Sequence, residues 1–164
     1  APEYVEDPVP PDDLAELAGA PVPLAADAAL RAPERAERLL ASGAVAVLVL
    51  KPALLGGLDR CLDLARRGAA RGLASVVTHA FEGPVGHAAA CELALALRNG
   101  AAPPGPGAVP PACGLDAHPA LAAWPQVRVP QLRPASVVPV DVSGLGVDPS
   151  VLLERPAAGP PGDA

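Results

Sequence analysis

VAVLVLK, residues 45–51, is six apolar residues closed by a lysine, and its reading decides the fold. An unbroken β-branched and Leu run of this length is how a strand buried on both faces of a parallel sheet looks. Two shorter runs precede it, EYVE (3–6) closed by Glu6 and PLAAD (23–27) closed by Asp27. The steps from Glu6 to Asp27 and from Asp27 to Lys51 are 21 and 24 residues, and each gap holds a helix-like stretch. Strands and helices alternating at this spacing predict βαβ units and a parallel sheet. In a barrel of parallel strands, catalytic groups stand at the C-terminal strand ends, which gathers two carboxylates and one ammonium at one mouth.

The alternation continues outward. Pro11 to about Leu17 reads as a helix with acidic residues in its first turn, where the helix dipole favours them. Pro33 opens a helix to about Ser42, with Gly43 as its stop. Gly56-Gly57 breaks the chain before LDRCLDLARRGAARG (58–72), whose apolar residues recur at helical period. SVVT (75–78) is the next strand and residues 85–100 the next helix. CGLD (113–116) is a candidate last short strand. PPGPGAVPP (103–111) can be neither helix nor central strand. Residues 125–148 suggest an edge strand or covering ribbon. The expected division is a partial (β/α) barrel over 1–120, a covering segment over 121–150, and a disordered tail over 151–164.

Composition narrows the function. The 164 residues suffice for one core, whereas a closed eight-stranded barrel takes about 250. The chain has no Met and opens Ala-Pro-Glu, so it reads as a fragment or a trimmed product. A net charge of −6, no basic block and three aromatic residues in all argue against a nucleic-acid surface. The apolar runs are too short for a membrane span and no signal peptide opens the chain. Cys61, Cys91 and Cys113 lack ligand spacing and read as buried or half-buried thiols of a reducing cytoplasm.

Glu6 and Asp27 are the candidate metal ligands, because Mg²⁺ takes oxygen ligands and is met by a few carboxylates plus water and substrate. Either could instead be a solvated carboxylate at a strand end. Lys51 could snorkel as a surface charge, or stand partly desolvated beside a metal with its pKa lowered towards the range useful for proton transfer. His87 and His118 read as solvated or helix-surface residues. Glu82 reads as part of a pocket loop or of the turn that opens the next helix, and Asp116 as a pocket contact or, more in keeping with its type, a turn cap.

The blocks YVEDPV (4–9), PLAADAAL (23–30), VLVLKPALLGGL (47–58) and VVTHAFEGPVGHAAA (76–90) resemble consecutive segments of the enolase superfamily, muconate-lactonizing subgroup. The likeness is greatest to the o-succinylbenzoate synthases of menaquinone biosynthesis. It covers residues 3–116, with GLGVD (144–148) a fainter echo. It implies an α/β fold, about the last five βα units of a TIM-type barrel. It further implies Mg²⁺ as cofactor, with Glu6 and Asp27 as its second and third ligands. Lys51 then helps stabilise an enediolate, while Thr78, His79, Gly114 and Leu115 line a pocket for a small carboxylate substrate.

The implied reaction is a syn-dehydration, in which the charge developing on a substrate carboxylate must be neutralised as its α-proton leaves. The chain departs from the family pattern in two places. Asp27-Ala28-Ala29 stands where Asp-Glu-Ser is usual, and nothing matches the first metal Asp or the Lys-x-Lys that supplies the base. The chain alone is therefore expected to be inactive, and to work with a separate N-terminal half or as a homo-oligomer. An open arc is also expected to expose apolar surface. Two alternatives stay open: a racemase, epimerase or cycloisomerase of the same superfamily, or a non-catalytic truncated paralogue.

Overall fold

The computed structural model describes residues 2–100, 111–116, 119, 131–133, 136–139 and 144–145. The predicted loop at 103–110, His118 and the 151–164 tail lie outside the described residues.

Four strands, β1 (Val5–Glu6), β2 (Leu24–Ala26), β3 (Val47–Leu50) and β4 (Ala74–Val77), form one sheet in the order β1-β2-β3-β4. Every pairing is parallel. A parallel bridge from Thr78 to Gly114 starts a fifth position, where CGLD was read as a strand. Helices follow the strands: α1 (Pro33–Ser42), α2 (Pro52–Leu55), α3 (Leu58–Ala69) and α4 (Pro84–Gly100). The architecture is an arc of a (β/α) barrel. A separate antiparallel pair, β5 (Gln131–Arg133) with β6 (Ser136–Val138), falls inside the segment read as a ribbon. Among the described residues no helix is long and apolar enough to cross a membrane.

Local chemistry explains the helix limits. Pro33 and Pro52 occupy first-turn positions, where a missing N–H costs no hydrogen bond. Gly43 ends α1 at φ 69°, and Gly56-Gly57 turn the chain from α2 into α3 at φ 94° and 109°, angles that side chains resist.

Two predictions of helix are corrected. Residues 11–17 form a turn and a short 3-10 segment at Leu14–Leu17, because the segment buries only Leu14 completely and sets Ala15 and Leu17 partly buried against the core. The helix expected to run to residue 72 ends at Ala69, where the backbone turns through Gly72 into β4. The single turn α2 went unread, since one turn leaves no periodicity to see.

The sheet separates two apolar clusters. Towards the helices, Leu24, Ala26, Leu48, Leu50 and Val77 pack with Leu39, Leu40, Cys61, Leu64 and Cys91. On the other face, which is the barrel interior, Ala25, Val47, Val49 and Val76 pack with Tyr4 and Ala74. The interior residues are small because they fill a narrow, inward-curving layer. All four of Ala25, Val47, Val49 and Val76 are buried, so the expected exposure of apolar surface does not occur on this face. Among the described residues the exposed large apolar side chains are Leu54, Phe81 and Val85, and each follows a strand end.

Cys61 and Cys91 are fully buried and Cys113 is half-buried, accepting the Val77 N–H on Sγ at 3.4 Å. Burial pushes the Cys61 and Cys91 thiols up from 9.0 to about 11. A raised thiol pKa favours the fold below pH 9, and that contribution is lost as pH rises from about 9 to about 11. Iodoacetamide at pH 8 is expected to modify Cys113 first, with Cys61 and Cys91 reacting only on denaturation. Peptide mass mapping checks this, and early modification of Cys61 or Cys91 would show that the α3–α4 layer opens.

Candidate metal and proton-transfer site

Sheet register sets where the three strand-end residues meet. Glu6 lies opposite Ala25, Ala26 opposite Leu48, and Leu50 opposite Val77. Asp27 therefore stands two residues further along the sheet than Glu6, and Lys51 two further than Asp27, a stagger of the kind a closing barrel requires, while Thr78 is level with Lys51. Side chains alternate along a strand, so Glu6, Asp27, Lys51 and Thr78 all continue the row of Ala25, Val47, Val49 and Val76. The site sits directly above the interior cluster, at its C-terminal rim.

The structure brings three of the predicted residues together. Lys51 Nζ donates to Asp27 Oδ2 at 2.5 Å and lies 3.6 Å from Glu6 Oε1. The Lys51 and Asp27 side chains are only 17% and 8% exposed, against 41% for Glu6. Arg31, one helical turn after Asp27, adds a second cation at 3.3 Å from the same Oδ2. The other oxygen of Asp27, Oδ1, is buried and has no hydrogen-bond partner among the described residues. An orphaned carboxylate oxygen is costly unless a further cation completes it.

Asp7, missed as a site residue, completes a cluster with Glu6 and Asp27 whose oxygens lie within 4.8 Å of one another. Its signal was its place between Glu6 and Pro8. The cluster is all hard oxygen, the donor set that Mg²⁺ prefers, and Asp27 Oδ1 is the atom that lacks a partner. The residues therefore fit a divalent cation. Below them Tyr4 packs at the interior layer, and its phenol is pushed up first by burial and then by the charge of Glu6.

The four pocket candidates are placed differently. Thr78 Oγ1 donates to the His79 carbonyl at 3.1 Å, and Thr78 pairs with Gly114. A Cβ at position 114 would lie 3.3 Å from that of Thr78, so glycine lets the two segments approach. His79 donates from Nε2 to the Asp116 carbonyl at 3.0 Å and accepts the Phe81 N–H on Nδ1. Leu115 packs its side chain into the helix-side core.

His87 is buried, contrary to the reading of it as a surface residue, and it donates from Nε2 to the Leu115 carbonyl at 2.9 Å. Its imidazole stands 5.4 Å from that of His79. The two histidines thus strap the 113–116 segment to the start of α4. Helical periodicity alone could not show this, because it cannot say which face of α4 meets residue 115. The Glu82 carboxylate folds back to accept the Ala80 N–H, which shapes the same loop. A cavity of about 340 Å³ between α4, residues 112–116 and β6 is lined by Arg98, Cys113, Asp116 and Arg133, and by none of the clustered carboxylates.

The sequence profile described as Enolase C-terminal domain-like matches residues 1–150. An o-succinylbenzoate synthase from Thermobifida fusca (strain YX) is 41% identical over 115 residues, 69% of this chain and 32% of that protein. Muconate cycloisomerase 1 from Rhodococcus opacus is 34% identical over 98 residues, 57% of this chain and 26% of that protein. The solved structure of the L-Ala-D/L-Glu epimerase from Bacillus subtilis superposes with a TM-score of 0.54 at 29% identity, covering 59% of this chain and 28% of that one. The chain thus spans roughly a quarter to a third of the length of these relatives.

Proposed function

The chain belongs to the enolase C-terminal domain-like family, and on that footing we propose that it carries part of the active site of an o-succinylbenzoate synthase-like dehydratase of menaquinone biosynthesis. The observation that carries this reading is Lys51 seated between Glu6 and Asp27 at successive parallel strand ends, with Asp27 Oδ1 buried and without a partner among the described residues. Support for this branch of the family comes from the 41% identity to the Thermobifida fusca enzyme.

In this reading Glu6 and Asp27 hold Mg²⁺, which when bound would offset the negative charge that develops on the substrate carboxylate. Lys51, paired with its two carboxylates, offers a second positive group at the same rim and stabilises the same charge as the α-proton leaves. Thr78 and His79 bound the pocket from the neighbouring strand end. The substrate is a small carboxylate, and the three thiols suit a reducing cytoplasm.

Lys51 is the only lysine in the 164 residues, so a Lys-x-Lys base pair must come from outside them. This polypeptide by itself is accordingly read as inactive, and dehydratase turnover by it alone would overturn that part. A second reading within the family, a cycloisomerase or epimerase, draws on the 34% identity to muconate cycloisomerase 1. The single lysine followed by Pro52 weighs towards the synthase. A non-catalytic paralogue predicts no functional metal site. Calorimetric titration with Mg²⁺ separates it: binding is expected to be at least about tenfold tighter than to a Glu6→Ala/Asp27→Ala variant, as for loss of metal-site carboxylates. Equal affinity would sink the metal site.

A further inference from the structure

Asp7 stands among the carboxylates, yet its own oxygens are already engaged. Oδ1 accepts the backbone N–H of Asp27 at 3.2 Å and Oδ2 accepts that of Ala28 at 2.9 Å. The two oxygens grip two successive amides across 20 and 21 residues of sequence. The same residue has φ 42°, a left-handed backbone angle that few side chains adopt and Asp tolerates better than most. That angle ends β1 immediately after Glu6 and coincides with a carboxylate turned back onto the segment following β2. The Asp7 N–H meanwhile donates to the Ala25 carbonyl at 3.1 Å, continuing the β1–β2 ladder for one more bond.

The chain leaves β2 at Ala26 and enters a short 3-10 turn at Ala28–Arg31. Amides at such a turn start have no partner of their own within the turn. Asp7 supplies those partners from the neighbouring strand. Charge-assisted acceptance of two N–H groups fixes the backbone that aims the Asp27 side chain. Arg60 fastens the far end of the turn by donating to the Leu30 carbonyl at 3.0 Å. Asp27 is therefore held from both sides, and the nearer hold comes from the residue next to Glu6.

We propose that Asp7 is a positioning residue that clamps the Asp27 and Ala28 amides, so that Glu6 and Asp27 present their carboxylates to one cation, and that it is not itself a ligand. The proposal rests on the reading of Glu6 and Asp27 as a cation site, and it deepens that reading by dividing the acidic cluster into two ligands and one clamp.

The test uses the full 164-residue chain, with Mn²⁺ as probe, followed by electron paramagnetic resonance. Asp7→Ala is expected to weaken Mn²⁺ binding about 10- to 100-fold, the usual cost of losing a group that orients a ligand. Asp7→Asn keeps one acceptor oxygen for the Ala28 amide and is expected to stay within about fivefold of wild type. An equal loss in both variants would mean that the charge itself binds metal and would overturn the clamp, as would no loss in Asp7→Ala.

Amide hydrogen exchange gives a readout that does not depend on metal. The Asp27 and Ala28 amides are expected to exchange at least about tenfold faster in Asp7→Ala. Unchanged exchange overturns the proposal whatever the metal data show. Absence of Mn²⁺ binding by the wild-type chain would instead count against the cation site, leaving exchange to decide the clamp. Should Asp7→Ala fail to fold, the Asp7→Asn exchange rates carry the same decision, with faster exchange at Asp27 expected and wild-type rates overturning it.

Discussion

Replacing Lys51 with Met is expected to destabilise the metal-free chain by about 3 kcal/mol and, at the same time, to tighten its hold on Mg²⁺. The two effects have one cause. Glu6, Asp7 and Asp27 bring carboxylate oxygens within 4.8 Å of one another, and Lys51 Nζ at 2.5 Å from Asp27 Oδ2 is the nearest compensating charge. Like charges about 4 Å apart near a protein surface repel by roughly 4 kcal/mol, a figure that water around the more exposed Glu6 reduces. Arg31 offsets part of the remainder, but its side chain is 46% exposed. Met fills the volume of the lysine stem and removes only the ammonium.

A divalent cation entering the wild-type site must share Asp27 with that ammonium and approach against its charge. Without it the repulsion falls and Oδ2 is released. Urea denaturation with and without MgCl₂ checks the prediction. The variant should recover about 2.7 kcal/mol when Mg²⁺ reaches a hundred times its dissociation constant. If wild type and Lys51→Met show the same metal-free stability and the same Mg²⁺ affinity, the ammonium is no part of the carboxylate electrostatics.

The second large effect is in the core between β3 and α3. Leu48 is fully buried, and Leu48→Ala is expected to cost about 3–4 kcal/mol, within the range for emptying a packed leucine site. Its neighbour across the layer is Gly68, where an added Cβ would lie 2.6 Å from Leu48 Cδ1. Gly68→Ala alone should therefore cost about 1–2 kcal/mol through overpacking, even though alanine is the better helix former.

Combined, the two changes should be strongly non-additive. Shortening Leu48 removes the atom that the new methyl would strike, and the methyl then occupies part of the space left behind. The double variant should be about 1 kcal/mol more stable than Leu48→Ala alone, from helix propensity and regained contact. Additive losses in thermal or urea unfolding would show that α3 does not press on β3 through this pair.

Much of the architecture was legible because it depends on local signals. VAVLVL fixed a doubly buried strand, Pro33 and Gly43 bounded a helix to the residue, and the spacing of Glu6, Asp27 and Lys51 located successive strand ends. What could not be read is contact between distant segments. The clamp of Asp7 on residues 27 and 28, the second cation that Arg31 places on Asp27, and the strapping of residues 115 and 116 by His87 and His79 all depend on tertiary placement. Each joins residues whose own neighbourhoods look ordinary. Residues 11–17 failed for a related reason: their composition suited a helix, but the segment buries only Leu14 completely and leaves Ala15 and Leu17 partly exposed at the edge of the core.

The two-residue stagger from Glu6 to Asp27 and again to Lys51 makes the carboxylate cluster a gauge of alignment. A slip of one residue in β2 or β3 would carry Asp27 or Lys51 through the sheet to the helix side, away from Glu6. No partial version of the cluster survives such a slip, because alternation moves a whole strand's side chains at once. Circular dichroism would scarcely notice the misaligned sheet, since its hydrogen bonds and helices could persist. A cation titration would notice it at once, so metal binding in refolded or redesigned versions of this chain reports whether its strands have found the right partners at the right offset.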